Sequence, residues 1–164
     1  MQTIVRETTI TTTTMRSFSI FILSCLMLSA CVEKNTHIGF LSFKNAEWDK
    51  DSIFQFEVNI TDTINPYQFF IETRNNNLYP YRNIWLFVDI QTPSGDIRKD
   101  TIGYDLADDF GEWLGKGISV YKYEVPYEKS FIFPQSGNYV FSIKHAMRDD
   151  VLTGISEIGI KLTK

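Results

Sequence analysis

The chain has 164 residues, with 16 Lys and Arg against 20 Asp and Glu, two Cys, two His and a 15% aromatic content. One domain is the expectation at this length, and a 43% apolar fraction with 13 Phe, 8 Tyr and 3 Trp is too rich for a disordered chain. A net charge of −4 argues against a nucleic-acid partner, which needs a concentrated basic face. Two cysteines make neither a disulfide framework nor a paired-cysteine zinc site.

The first element reads as an address. Thr8, Thr9 and Thr11 to Thr14 carry no apolar period, and Met15 directly precedes Arg16, so residues 1–14 read as a gene-start artefact. Arg16 is followed by an apolar stretch from Phe18 to Leu28. That is the size of a secretory h-region and too short for a bilayer that needs about 20 residues. It ends in Leu28-Ser29-Ala30-Cys31. Small residues at 29 and 30 suit the extended groove of a signal peptidase, and Cys31 offers a thiol for lipid. The expectation is a lipoprotein signal peptide over 1–30 and a lipidated tether over 31–37, with fatty acyl chains of the palmitate kind on Cys31. The membrane is then the first partner. One acyl chain binds reversibly and two hold stably, so a triacylated Cys31 is a permanent anchor. Cys25 leaves with the signal, which excludes cysteine catalysis. Val32 in place of an Asp favours the outer membrane, with the domain facing the periplasm.

From residue 38 to 164 the dominant period is two. Phe54, Phe56, Val58 and Ile60 alternate with polar residues, as do Tyr67, Phe69, Ile71 and Thr73. Ile84, Leu86, Val88 and Ile90 do so with Trp85 and Phe87 on the opposite face, which reads as a central strand or one covered on both sides. Ile97–Tyr104, Val120–Val125, Tyr139–His145 and Ile155–Leu162 complete the set. Turn signals separate them at 48–51, 65–66, 75–77, 92–96 and 134–138. Only Leu106–Trp113 and Ala146–Leu152 could hold a helical turn. The fold class is all-β: a single β-sandwich, immunoglobulin-like or jelly-roll-like, of seven or eight strands.

Chemistry-bearing motifs are scarce. No nucleophile elbow, phosphate-binding loop or metalloprotease helix is present. His37 falls in the tether and His145 on the apolar face of its strand, so no metal or other cofactor is expected. Asp105, Asp108, Asp109 and Glu112 form an acidic loop without calcium-loop spacing, and Asp149-Asp150 beside Arg148 reads as a charged turn. Trp113-Leu114-Gly115-Lys116-Gly117 and Tyr79-Pro80-Tyr81 each allow two readings: a plug over the sandwich end, or a docking edge for a partner. Tyr79, Tyr81, Trp113, Lys116 and Arg148 are the candidate docking residues. A rival reading stacks sugar rings on Trp48, Trp85 and Trp113, making a carbohydrate-binding outer-membrane lipoprotein. Ser52, Thr63 and Thr101 each follow Asp and precede Ile, a pattern that resembles the O-glycosylation acceptor of Bacteroidetes envelope proteins.

Three stretches carry a wider resemblance. They are Arg74-Asn75-Asn76-Asn77-Leu78-Tyr79-Pro80-Tyr81 into Trp85; Leu106-Ala107-Asp108 through Trp113-Leu114-Gly115-Lys116-Gly117; and Phe133-Pro134 through Tyr139, then Met147-Arg148 and Leu152-Thr153-Gly154-Ile155. With the lipobox they resemble the GldH family, the gliding motility lipoproteins of Bacteroidetes-type bacteria. The family usually carries a proline and a basic residue in the middle loop, where this chain reads Asp109-Phe110-Gly111-Glu112. The resemblance implies a non-enzymatic envelope lipoprotein. Its partners would be protein components of the gliding apparatus and the associated type IX secretion system.

Overall fold

The computed structural model describes residues 36–164; the expected signal peptide and Cys31 lie outside the described residues. Alternation becomes strand throughout. In chain order the strands are β1 (Thr36–Ser42), β2 (Glu47–Asp49), β3 (Phe54–Ile60), β4 (Tyr67–Asn76), β5 (Asn83–Gln91) and β6 (Ile97–Asp105). They continue with β7 (Lys116–Gly117), β8 (Val120–Phe131), β9 (Gly137–His145), β10 (Val151–Thr153) and β11 (Ile155–Thr163). A 3-10 turn at Lys44–Ala46 is the one helical element among the described residues.

Two sheets form the sandwich, one in the order β1-β11-β4-β8-β7 and one in the order β3-β9-β5-β6, with a small β10-β2 ribbon beside them. Every pairing is antiparallel. The inner faces supply one core: Phe69, Ile71, Ile158, Ile160 and Leu162 from the first sheet meet Val58, Ile60, Leu86, Val88, Phe141 and Ile143 from the second. Each fully buried aliphatic or aromatic side chain contributes about 1.5–3 kcal/mol.

The number of strands exceeds the expected seven or eight. The additional ones are β1, the ribbon pair and β7. The short elements β2, β7 and β10 span two or three residues, too few to show a period. β1 shows its alternation inverted. Ile38 and Phe40 face outward, while the core side carries Gly39, where the Phe56 ring occupies the place of a side chain. β1 also takes in Thr36 and His37 from the expected tether, pairing them with Thr163 and Leu162. Neither segment expected to hold a helical turn does so. The first makes a bridge between Ala107 and Trp113, and the second ends in β10.

The outer faces of the two sheets differ. On the five-stranded sheet Glu72 is only 1% exposed, gripped by Arg74 Nε at 3.0 Å and Lys122 Nζ at 2.6 Å. Arg74 also reaches Glu157 at 2.8 Å and lies over the Phe40 ring. On the four-stranded sheet β5 is central, as expected, but its outer face is open. Trp85 is 46% exposed and lies flat across Gly103 of β6, and Phe87 stands next to it.

The sandwich has two ends. At one, here the base, β1 begins opposite Thr163, the Asp62–Pro66 connection crosses between sheets, and Phe133 fills the space between Tyr67 and Tyr139. At the other, the tip, the 77–82, 106–115 and 146–150 segments cross between strands. Besides the edge strands β1, β3 and β6, one flank of β8 is largely bare: β7 pairs with it only through Lys116–Lys122 and Gly117–Tyr121, while β8 runs on through Pro126 to Phe131.

Candidate docking surface at the tip of the sandwich

The β4–β5 connection is built on Asn76. Its side-chain oxygen accepts the Leu78 N–H at 2.8 Å and its backbone carbonyl accepts the Tyr79 N–H at 3.2 Å. Tyr79 turns inward and its hydroxyl donates to the Asn83 carbonyl at 2.8 Å. Burial, with Tyr104, Tyr81 and Asp149 nearby, pushes its phenol pKa well up. Gly154, between β10 and β11, presses backbone against backbone here. With φ of +85° and a Cβ that would stand 2.2 Å from the Tyr79 nitrogen, no other residue fits unchanged. Its carbonyl accepts the Asn76 N–H at 2.8 Å.

Trp113 is half-buried. Its Nε1–H donates to Asn77 Oδ1 at 2.9 Å, and its ring lies 5.9 Å from Tyr121 and 6.4 Å from Tyr79. Tyr81 is exposed, with its hydroxyl donating to Asp149 at 2.7 Å. Lys116 is exposed on β7, and Arg148 is exposed beside Tyr81, Trp85 and Met147. The structure therefore gathers Tyr79, Tyr81 and Trp113 at one end, with Lys116 and Arg148 flanking them. Tyr79 belongs to the seal, and Trp113 is shared between seal and surface.

The outermost side chains are ones that sequence reasoning missed. Phe110 is 92% exposed, Ile118 94% and Leu78 71%. Each stands on a turn that is hydrogen-bonded within itself. In the 108–112 loop the Asp108 carboxylate accepts the N–H groups of Phe110 and Glu112, both at 2.9 Å, and Gly111 supplies φ of +84°. At the β7–β8 turn the Tyr121 hydroxyl donates to the Ile118 carbonyl at 3.1 Å. The available signal was an isolated apolar residue beside Asn77, Gly111 or Gly117, which has no period to reveal it.

The acidic loop spends its carboxylates on structure. Arg82 grips Asp105 at 2.9 Å and also Asp109, while its carbonyl accepts the N–H of Leu106 at 2.7 Å. Among the described residues no three His, Cys, Asp or Glu side chains are grouped to hold a metal. His145 is buried against Trp48, with ring centroids 5.3 Å apart, and desolvation lowers its pKa. His37 lies half-buried on β1.

The three indoles share no platform, which corrects the expectation of a sugar-stacking surface. Trp48, expected within the 48–51 turn, lies on β2, fully buried and stacked 4.7 Å from Phe43, its Nε1–H donating to the Ser52 carbonyl. Trp113 sits in the aromatic cluster, and Trp85 alone faces outward. Of the glycosylation candidates, Thr101 is exposed in the middle of β6, Ser52 is half-buried after the β2 turn, and Thr63 is half-buried in the base connection.

With this geometry described, the chain can be placed among known proteins. Its residues 39–162 match the GldH lipoprotein family. A protein of Christiangramia forsetii named gliding motility lipoprotein GldH homolog is 37% identical over 156 residues, covering 90% of this chain and 95% of that one. The gliding motility lipoprotein GldH of Flavobacterium johnsoniae is 31% identical over 154 residues, covering 90% and 96%. Among solved structures, an uncharacterized protein of Listeria monocytogenes aligns at a TM-score of 0.40 and 16% identity. The alignment covers 79% of this chain and 11% of that one, a likeness too slight to carry an argument. The sequence match, spanning β1 through β11, is what decides the family: this chain belongs to the GldH lipoproteins.

Proposed function

We infer that the protein is a lipid-anchored, non-enzymatic component of the gliding motility machinery and its associated type IX secretion. In this reading acyl chains on Cys31 hold it to the outer membrane, with the sandwich in the periplasm. The observation that carries the reading is the match, over nine-tenths of the chain, to two proteins named as gliding motility lipoproteins. Two features support it. The Leu28-Ser29-Ala30-Cys31 run supplies an acylation site directly before the domain, followed by Val32. The charged groups at the tip are engaged in holding loops, as Arg82 and Asp108 illustrate, which suits a scaffold better than a reaction centre.

Deletion tests the reading. Cells without the protein should lose colony spreading and type IX export, and a Cys31→Ala chain should accumulate outside the membrane fraction without restoring either. Normal spreading and export in the deletion strain would overturn the role.

A further inference from the structure

The tip combines three observations. Leu78, Phe110 and Ile118 stand out on three separate turns, each fixed by its own hydrogen bonds, so their exposure is built in and does not come from slack loops. Beneath them Tyr79, Trp113 and Tyr121 form a continuous aromatic layer that holds the turns in one arrangement. Beside Phe110 a groove of about 450 Å³ runs between Tyr79–Arg82 and the 107–113 loop. Asp108 and Asp109 line it with Arg82, and Glu112 is exposed beside them. At and beside the tip's three connections, Asp105, Asp108, Asp109, Glu112, Asp149 and Asp150 outnumber Arg82, Lys116 and Arg148.

We propose that this tip is a protein-docking face whose contact points are Leu78, Phe110 and Ile118, and whose occupant is a protein presenting an apolar patch edged with basic side chains. Ordering costs are already met in the free protein, which is how rigid anchors gain affinity. The acidic border selects the sign of the partner's charge and repels an anionic bilayer.

Chain length also argues against lipid as the occupant. The proposal rests on the Cys31 anchor inferred above. Five peptide steps lead from Cys31 to Thr36, and fully extended they span about 18 Å. Thr36 lies at the base, and the ten residues of β4 alone run about 33 Å from base to tip. The link is too short to raise the base far enough for the tip to enter the anchoring leaflet head-on. Ile64, 82% exposed on the Asp62 turn at the base, is an apolar side chain within reach of lipid.

Photo-crosslinking in intact cells, with the full-length chain, tests this. Phe110→benzoylphenylalanine and Ile118→benzoylphenylalanine should each give a protein adduct of the same mass, and Ile64→benzoylphenylalanine should not. Adding Leu78→Ser and Glu112→Lys to either tip variant should cut its yield about tenfold, the loss of one good anchor or more. Lipid-only adducts, an adduct of twice the chain's mass, the same adduct from Ile64, or no adduct would each overturn the proposal. In a strain lacking its own copy, a Leu78→Ser/Phe110→Ser/Ile118→Ser chain should reach the membrane fraction folded yet fail to restore spreading; full restoration overturns the proposal and leaves the gliding role standing. Should the deletion strain itself spread normally, the gliding role fails and crosslinking alone decides the surface.

Discussion

Base and tip are made of similar material and finished differently. At the base, the Asp62 carboxylate accepts the N–H groups of Ile64 and Asn65 and pairs with Lys164, while Phe133 is drawn fully inside between Tyr67 and Tyr139. At the tip the largest rings, Tyr79 and Trp113, stop at or just below the surface and serve as footing for smaller apolar groups above them. The contrast is between closing a core and displaying a surface. Rigidity serves both, and each end holds an apolar side chain outward on a fixed turn, Ile64 at the base, but the tip sets three of them over one aromatic layer. That is a pattern expected of a preorganised interface.

The largest effect should come from emptying the core beside the β10-β2 ribbon. Trp48→Ala deletes a fully buried indole stacked on Phe43, and should cost about 3–5 kcal/mol in denaturant unfolding. Gly154→Ala forces a Cβ onto the Tyr79 backbone at positive φ and should cost about 1–3 kcal/mol. A base change of comparable size would weaken the distinction between the two ends if it also altered crosslinking from Phe110.

Acid should loosen the tip side. The folded pKa of His145 is depressed, chiefly by desolvation and with Lys50 adding to it, against the opposing pull of the Trp48 backbone, Asp49 and Asp149. Below its unfolded value of about 6.5 the unfolded chain takes the proton first. This contribution to stability is therefore complete above that pH and declines as pH falls toward the folded value. Denaturation midpoints at pH 7.5 and 5.5 should show the loss, and His145→Phe should flatten that part of the slope. The smallest change should come from the displayed residues. Leu78→Ser, Phe110→Ser and Ile118→Ser should each shift stability by no more than about 0.5 kcal/mol, because they cover nothing. A larger shift in melting would show that they seal the core after all.

The long strands were legible because burial on one face writes a period of two into them; β3 begins and ends at Phe54 and Ile60 as the alternation indicates. β1 was not, because the residues that look like its buried face point to water and a glycine faces the core. Trp48 was misplaced because Asp49, Lys50 and Asp51 after it form the turn, while it belongs to a strand of three residues. At the tip, Tyr79 and Trp113 could be named from aromatic-glycine-proline context. Phe110 and Ile118 could not, since a turn shows which residues bend the chain but not which side chain it holds outward.

Molecules tied to a surface meet flank to flank far more often than molecules free in solution. The bare side of β8, continuing past its two-residue neighbour, is one of the edges where copies could zip together strand to strand. Pro126 interrupts it with a position that has no N–H to give, and Lys129 places a charge three residues on. Along that edge, neighbouring copies of the domain are kept from joining into a continuous ladder of backbone hydrogen bonds.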